Sequence, residues 1–594
     1  MAVNKPYAFP VPSNYDKVKE MRGRKDLKLN ECKYLKPSTR LRYYQTVGSL
    51  NMLLSTRTLL GDSPGLGKTV QTVATQAIIK SKMPSFKFLV VSTKSSLKQW
   101  GREIEKFSTG LTYHVLVPAY RPIGATKQVT GYEARKAQYK DFKDVDILIT
   151  GYHPVKEDHE LLVECRGPDF MVVFDECQEF KNDETAAHIG AKYIADHAKR
   201  VVGLSATPIK NRLMEMYHIM EVLVPGLFPN ITRFKDYFCL QQLRPIPTKG
   251  GGTRLVKQVV GYKNLELFKQ VIAPYFLARP THEVSDELPK LVARRVEVEM
   301  SAAQKKLYAE ALSGVIYQKR VRQRYFEYRD ELEKMGTRPT DKQLEQLEIL
   351  EGKYEESLIE GSMASNKGAA LTYCQLIANG PEWLGEEGVG GSSTKEEEFE
   401  RLVVDELASE KIIVYTRFES GIDRLSAILA KHGIKFVRVS GKENGKKRQE
   451  AMDKFQDPEG DTRVIFITNA GSAAINLQAA SVEIFFDTPW SFGDLCQTIG
   501  RAQRIGSLHT QVLVIHMVTT GTLDEHVLDV LAEKKWLTDQ IMGDIAMGAL
   551  NFEAQDLEEA EFSIEASNPD EVAFEDTSDV NALFSRVFGG LLKK

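Results

Sequence analysis

Short apolar, β-branched runs alternate with longer stretches of helical periodicity in two separate blocks of the chain. The first block holds Phe86 to Val91, Val145 to Ile149, Met171 to Phe174 and Val201 to Leu204. The second holds Lys411 to Tyr415, Lys435 to Val439, Arg463 to Thr468, Val482 to Phe486 and Gln511 to Val518. Runs with little polar alternation suit strands buried on both faces, and their alternation with helices predicts a doubly wound parallel sheet in each block. Between the blocks, Ser301 to Glu360 is densely charged and helix-favouring, and Gly380 to Ser393 is rich in glycine. A helical insertion followed by a flexible connection is expected there. Asn551 to Val580 contains many Asp and Glu and no Lys or Arg, which predicts a disordered or loosely docked acidic tail and a candidate docking segment for a protein partner.

Composition narrows the function classes. A chain of 594 residues exceeds a single core. The net charge of −2 means that any nucleic-acid contact must come from local basic patches. Its six cysteines, at positions 32, 165, 177, 239, 374 and 496, show no CxxC pair and no metal-ligand spacing, so a reduced setting without structural zinc is expected. No apolar run approaches the roughly 18 residues of a membrane span, and the N-terminus, with Pro6, Pro10 and Pro12, lacks a signal-peptide core. A soluble, intracellular monomer without a membrane partner is expected, cytoplasmic in a bacterium or infected cell, or nuclear in a eukaryote.

The chemistry begins at Pro64-Gly65-Leu66-Gly67-Lys68-Thr69-Val70, which follows Leu59-Leu60 and opens an amphipathic segment. Glycines let successive backbone N–H groups turn toward phosphate oxygens at the positive end of the following helix. Gly65 and Gly67 would cradle the phosphates of ATP, Lys68 would reach the β/γ-phosphates, and the Thr69 hydroxyl would ligate Mg²⁺. The strict pattern wants Gly where Asp62 stands, with Gly61 one place earlier. Downstream, the apolar run from Phe170 ends in Asp175-Glu176-Cys177-Gln178. Asp175 would hold Mg²⁺ and Glu176 would orient and deprotonate the attacking water. An acidic pair after a strand is also compatible with a surface turn.

The second block has no phosphate loop but carries Gln497-Thr498-Ile499-Gly500-Arg501-Ala502-Gln503-Arg504-Ile505-Gly506. Arginines three apart share a helix face. Arg501 and Arg504, with Gln497 before them, could point across a cleft as arginine fingers that neutralise transition-state charge when the blocks close. Solvated arginines are the alternative.

With these motifs in order, the chain resembles the superfamily-two helicase-type motors, and specifically the Swi/Snf family of double-stranded DNA translocases, from Leu41 to Met542. Leu41-Arg42-Tyr43-Tyr44-Gln45 is similar to the family's opening segment, which implies that Gln45 reads adenine. Segments around Thr93, Lys94 and Ser96 and around Thr150 and Tyr152 resemble DNA-backbone contacts, and Leu204 to Ile209 resembles the motif coupling ATP state to DNA. Thr416, Thr468 and Asn469 extend the expected DNA grip into the second block, and Gly471 falls in the ATP-side motif there.

The resemblance implies two RecA-like lobes with helical insertions between them, ATP with Mg²⁺, and double-stranded DNA as a largely sequence-independent partner. The implied division is an N-terminal extension (1–35), a first lobe (36–225), helical protrusions and linker (226–395), a second lobe (396–520), a brace (521–548) and the tail (549–594). Pro225 to Phe228 with Phe234 and Phe238 resembles the start of the first protrusion, and Gly521 to Glu525 with Lys534-Lys535 the brace. The chain departs from the family at Asp62-Ser63-Pro64, where Asp-Glu-Met is usual, at Gln178 in place of His, and at Asn469, Ser472 and Ala474 in place of Arg and two glycines. A strand-separating helicase and a nucleotide-gated DNA clamp without net movement are the alternatives. Trp100 and Trp490 read equally well as core residues. Lys319 to Phe326 combines basic and aromatic residues, and Ser440 to Lys447 reads as a basic loop; either is compatible with DNA contact or a solvated face.

Overall fold

The computed structural model describes residues 7–29, 32–183, 185–210, 212–247, 253–280, 288–313, 315–335, 339–358, 367–384, 393–443, 445–469, 475–504, 506–507, 509–542, 550 and 571–573. Two parallel sheets organise it. In the first, strand order is 276–277, 57–60, 200–204, 170–175, 87–92, 147–151, 113–115. In the second it is 290–298, 511–519, 482–485, 412–415, 462–467, 435–439. Each expected apolar run appears as one of these strands within a residue or two of its sequence bounds. Burial explains it: Val172, Val173, Phe174, Ile413, Val414 and Ile484 are wholly inaccessible because helices cover both faces.

The region between the lobes differs from expectation. Residues 226–395 are not purely helical, because Phe276–Leu277 closes an edge of the first sheet and Lys290–Val298 an edge of the second. The first protrusion is a β-hairpin of Cys239–Pro247 and Thr253–Lys263, flanked by helices Ile231–Phe238 and Leu265–Ile272. Pro245 and Pro247 lie on its edge strand, the position in a sheet where proline is tolerated. The hairpin is rooted in an aromatic cluster in which Phe228 stacks on Phe268 at 5.6 Å and Phe234 meets Phe238 at 5.2 Å.

Helices Ala302–Leu312, Val315–Lys334 and Asp341–Leu358 form the expected charged insertion. Its basic-aromatic stretch is partly inward: Arg320 donates to the Leu384 carbonyl and lies over the Tyr373 ring. From the acidic tail, Glu571–Ala573 pairs antiparallel with Gly261–Lys263, and the other tail residues lie outside the described ones apart from Leu550. Helix Leu523–Met542 follows the second sheet, anchored where the buried Lys395 ammonium meets Asp524 at 2.5 Å. No described helix is long and apolar enough to cross a membrane.

Candidate active site

Strand Arg57–Leu60 delivers the chain into a loop that ends at the N-terminus of helix Lys68–Lys82. Gly65 and Gly67 take φ of 83° and 77°, the left-handed region open to glycine without strain, so the loop turns its N–H groups inward. Lys68 Nζ donates to the Asp62 carbonyl at 2.7 Å, and burial lowers its pKa against the opposing pull of Glu176, Asp62 and Asp175. Asp62, where a glycine is strictly wanted, has a structural task. Its carboxylate takes both Arg279 Nε at 2.9 Å and Nη2 at 2.6 Å, and Gln71 Nε2 at 3.0 Å. The loop is thereby tied to the edge strand at Phe276–Leu277. Gln45 lies against the loop, with its amide donating to the Leu66 carbonyl at 3.2 Å and its Oε1 capping Arg42 N–H at 3.0 Å. Thr69 occupies the first turn of the helix, half-buried.

Asp175 ends its strand beside this loop. Ser92 Oγ at 2.7 Å and Trp100 Nε1 at 2.8 Å both donate to its Oδ2. Burial, then the neighbouring Glu176 charge, pushes its pKa up to about 6. Trp100 and Ser92 were not assigned to the site from sequence; only their approach in space reveals the role. Glu176 has φ 53° and ψ 51°, a left-handed conformation rare for a non-glycine residue. Strain of this kind concentrates at functional sites, and here it turns the carboxylate toward the cleft.

Polar bonds around Glu176 close a ring across the lobes. Gln178 Nε2 donates to Glu176 Oε2, Ser205 Oγ donates to Gln178 Oε1 at 2.6 Å, and Thr207 N donates to Ser205 Oγ at 3.1 Å. Gln497 of the second lobe then donates to Thr207 Oγ1 at 3.4 Å and to Glu176 Oε2 at 3.3 Å. Gln178 bonds only within its own lobe among the described residues; Gln497 makes the crossing.

Gln497 sits on helix Phe492–Ile499, whose following turn carries the arginines. That turn meets the phosphate loop directly. A Cβ on Gly500 would lie 2.4 Å from Pro64 Cβ, and one on Gly65 would lie 3.0 Å from the Gln503 carbonyl and 3.5 Å from Arg504 Cγ. Arg504 Nε donates to the Gly500 carbonyl at 2.9 Å, and burial lowers its pKa. Arg501 is also buried; desolvation lowers its pKa, opposed by the charges of Glu176 and Glu483. Guanidinium groups remain protonated under such shifts. Lys210 and Asp494 form an ion pair at 2.8 Å between the lobes.

The family model "SNF2-related domain" matches residues 44–351, and "Helicase conserved C-terminal domain" matches 394–506. The chain belongs to the SNF2-related family. It is similar to an uncharacterized ATP-dependent helicase of Mycoplasma pneumoniae, 25% identical over 490 residues covering 82% of this chain and 40% of that protein. Protein CHROMATIN REMODELING 5 of Arabidopsis thaliana is 26% identical over 534 residues, covering 84% of this chain and 27% of that protein. The Sulfolobus solfataricus SWI2/SNF2 ATPase core in complex with dsDNA aligns over 88% of this chain and 96% of that chain at 24% identity, with a TM-score of 0.37. The SNF2-family chain spans between 27% and 40% of the length of these two curated relatives.

The residues expected to hold DNA divide in two. Thr93 and Ser96 share a hydroxyl contact at 2.9 Å before helix Leu97–Phe107, with Lys94 exposed beside them, and Asn469 is exposed, its Oδ1 accepting from Tyr415 at 3.0 Å. The hydroxyls of the others face inward. Tyr152 donates to the Asp175 carbonyl at 2.8 Å and Thr416 donates to Asp487 Oδ2 at 2.7 Å. The Thr150 and Thr468 hydroxyls are enclosed without a hydrogen-bond partner among the described residues. Short side chains at the ends of parallel strands are as readily sealed by the next loop as exposed by it. Gly471, with Ser472 and Ala474, lies outside the described residues.

Proposed function

We propose that this chain hydrolyses ATP between its two lobes and uses the closure to move along double-stranded DNA, displacing complexes bound there. The observation carrying this reading is the ring through Glu176, Gln178, Ser205, Thr207 and Gln497, which makes the carboxylate beside the phosphate loop sense the position of the second lobe. Phosphates on the N-terminus of helix Lys68–Lys82 would draw Lys68 from the Asp62 carbonyl onto the β/γ-oxygens. Asp175 fits a divalent cation: its Oδ2 takes both protein bonds, leaving Oδ1 for ligation, and its charge lies buried against Glu176 without a counter-ion in direct contact. Mg²⁺ held by Thr69 and Asp175 would neutralise charge on the phosphate oxygens. Glu176 orients the attacking water and takes its proton, while Gln178 and Gln497 fix the carboxylate. Arg501 and Arg504 stabilise the charge that develops.

For the track, family membership supports DNA, and both lobes bring basic residues to one side of the cleft. Lys94, Lys98 and Arg102 lie on or before helix Leu97–Phe107, and Lys446, Lys447 and Arg448 on helix Gly445–Gln456. The two helices touch where Arg102 donates to Gln449 at 2.9 Å. Such edges suit phosphates rather than base edges, giving salt-dependent and largely sequence-independent binding. Displacement of a third strand from a triplex tests translocation. ATP-dependent release from a blunt duplex, without unwinding of a forked duplex, is expected; no release despite active hydrolysis would favour a clamp.

A further inference from the structure

Glu483 lies on Val482–Phe485, a central strand of the second sheet, flanked by Ile413 on one neighbouring strand and Val514 on the other. It is wholly inaccessible, and neither carboxyl oxygen has a hydrogen-bond partner among the described residues. An orphaned carboxyl in an apolar core is costly and calls for an explanation. Its alternation places it on the sheet face shared with Phe485, the face that packs against helix Phe492–Ile499 and the arginine turn. Arg501 is the charge that acts on it. Arg501 is itself buried with its Nε unpartnered among the described residues, and it feels two carboxylates, Glu176 in the first lobe and Glu483 in its own.

We propose that Glu483 is a positioning residue for Arg501: when ionised it draws the guanidinium back into its own lobe and away from the phosphate loop. Arg501 thus lies under the influence of two carboxylates, one in each lobe, and the charge on Glu483 sets the balance. Other titratable groups of that face are engaged elsewhere: His516 stacks on Phe485 and bonds Thr488, Tyr415 bonds Asn469, and Arg295, opposite His516 on the edge strand, pairs with Glu297 and Glu525. Cys496 lies on the covering helix. Burial pushes the Glu483 carboxyl up to about 8, so its charge appears as the solution turns mildly alkaline. In the free enzyme that charge pairs with Arg501, and the pair must break before the arginine engages phosphate.

The inference rests on the arginine-finger reading, and the test separates the two. kcat/KM for ATP is measured from pH 7 to pH 9 with saturating duplex DNA for the wild type, Glu483→Gln and Glu483→Leu, beside Arg501→Ala at one pH. The ratio of either Glu483 variant to wild type is expected to rise about tenfold across that range, the change for one ionisation centred near pH 8. A flat ratio, or failure of both variants to fold, would overturn the role of Glu483. Undiminished hydrolysis by Arg501→Ala would instead overturn the finger reading.

Discussion

Trp100 donates its indole N–H to Asp175 at 2.8 Å, so a buried aromatic of the first lobe orients the carboxylate proposed to face the cation. Trp100→Phe keeps the ring and removes the donor. Partners of ligating groups typically contribute 10–100-fold, so a fall of at least about tenfold in activity is expected, with the Mg²⁺ concentration for half-maximal rate increased. Steady-state ATPase titrated with Mg²⁺ reads both; an unchanged Mg²⁺ dependence would remove Trp100 from the site.

Lys68→Ala and Glu176→Gln should both abolish turnover but differ in binding. The first loses a phosphate contact, whereas the second retains the loop and lacks the base, so it should trap ATP. Filter binding of labelled ATP distinguishes them, and normal turnover by either purified variant would contradict the assignment.

Replacing Arg501 or Arg504 by Ala should cut hydrolysis on the order of 10³-fold with little loss of ATP affinity, because the arginines come from the opposite lobe and act on developing charge. Loss of binding with normal saturated turnover would place them in ground-state recognition instead.

The Asp62–Arg279 pair lies buried between the phosphate loop and the strand that returns to the first sheet. Arg279→Ala leaves the Asp62 charge without its guanidinium and should destabilise the fold by about 3–5 kcal/mol. Thermal denaturation checks this. Asp62→Asn combined with Arg279→Met should recover part of the loss, since neither partner then strands a charge.

Glu483 makes stability depend on pH. Its folded pKa is raised, so its contribution is fully present below the ordinary value of 4.5 and is lost as pH rises through about 8. Glu483→Gln should therefore gain stability over the wild type as pH rises from 5 to 8, read as a widening gap in Tm.

Much of the two sheets was legible because Phe170 to Phe174 is an uninterrupted apolar run and Val482 to Phe486 is apolar at every position but one, and a strand buried on both faces has little other composition to choose. Glu483, a polar residue inside such a run, is the exception that carries information. The hairpin at Cys239–Pro247 was illegible because its alternation is broken by Gln241, Gln242, Arg244 and two prolines, tolerated only because the strand is an edge. The ATP-site residues were legible because phosphate chemistry restricts both residue type and spacing. Trp100, Arg279 and the inward turn of Thr416 were not, since each depends on which segments meet in space, and a lone Trp or Thr carries no such mark.

ATP hydrolysis measured side by side with duplex DNA, single-stranded DNA and RNA tests the central claim most directly, because lobe closure around one track is what should complete the site. Strong stimulation by duplex alone, abolished in Arg501→Ala, is the predicted result. Equal rates with all three, or a rate independent of any nucleic acid, would contradict a duplex-driven motor.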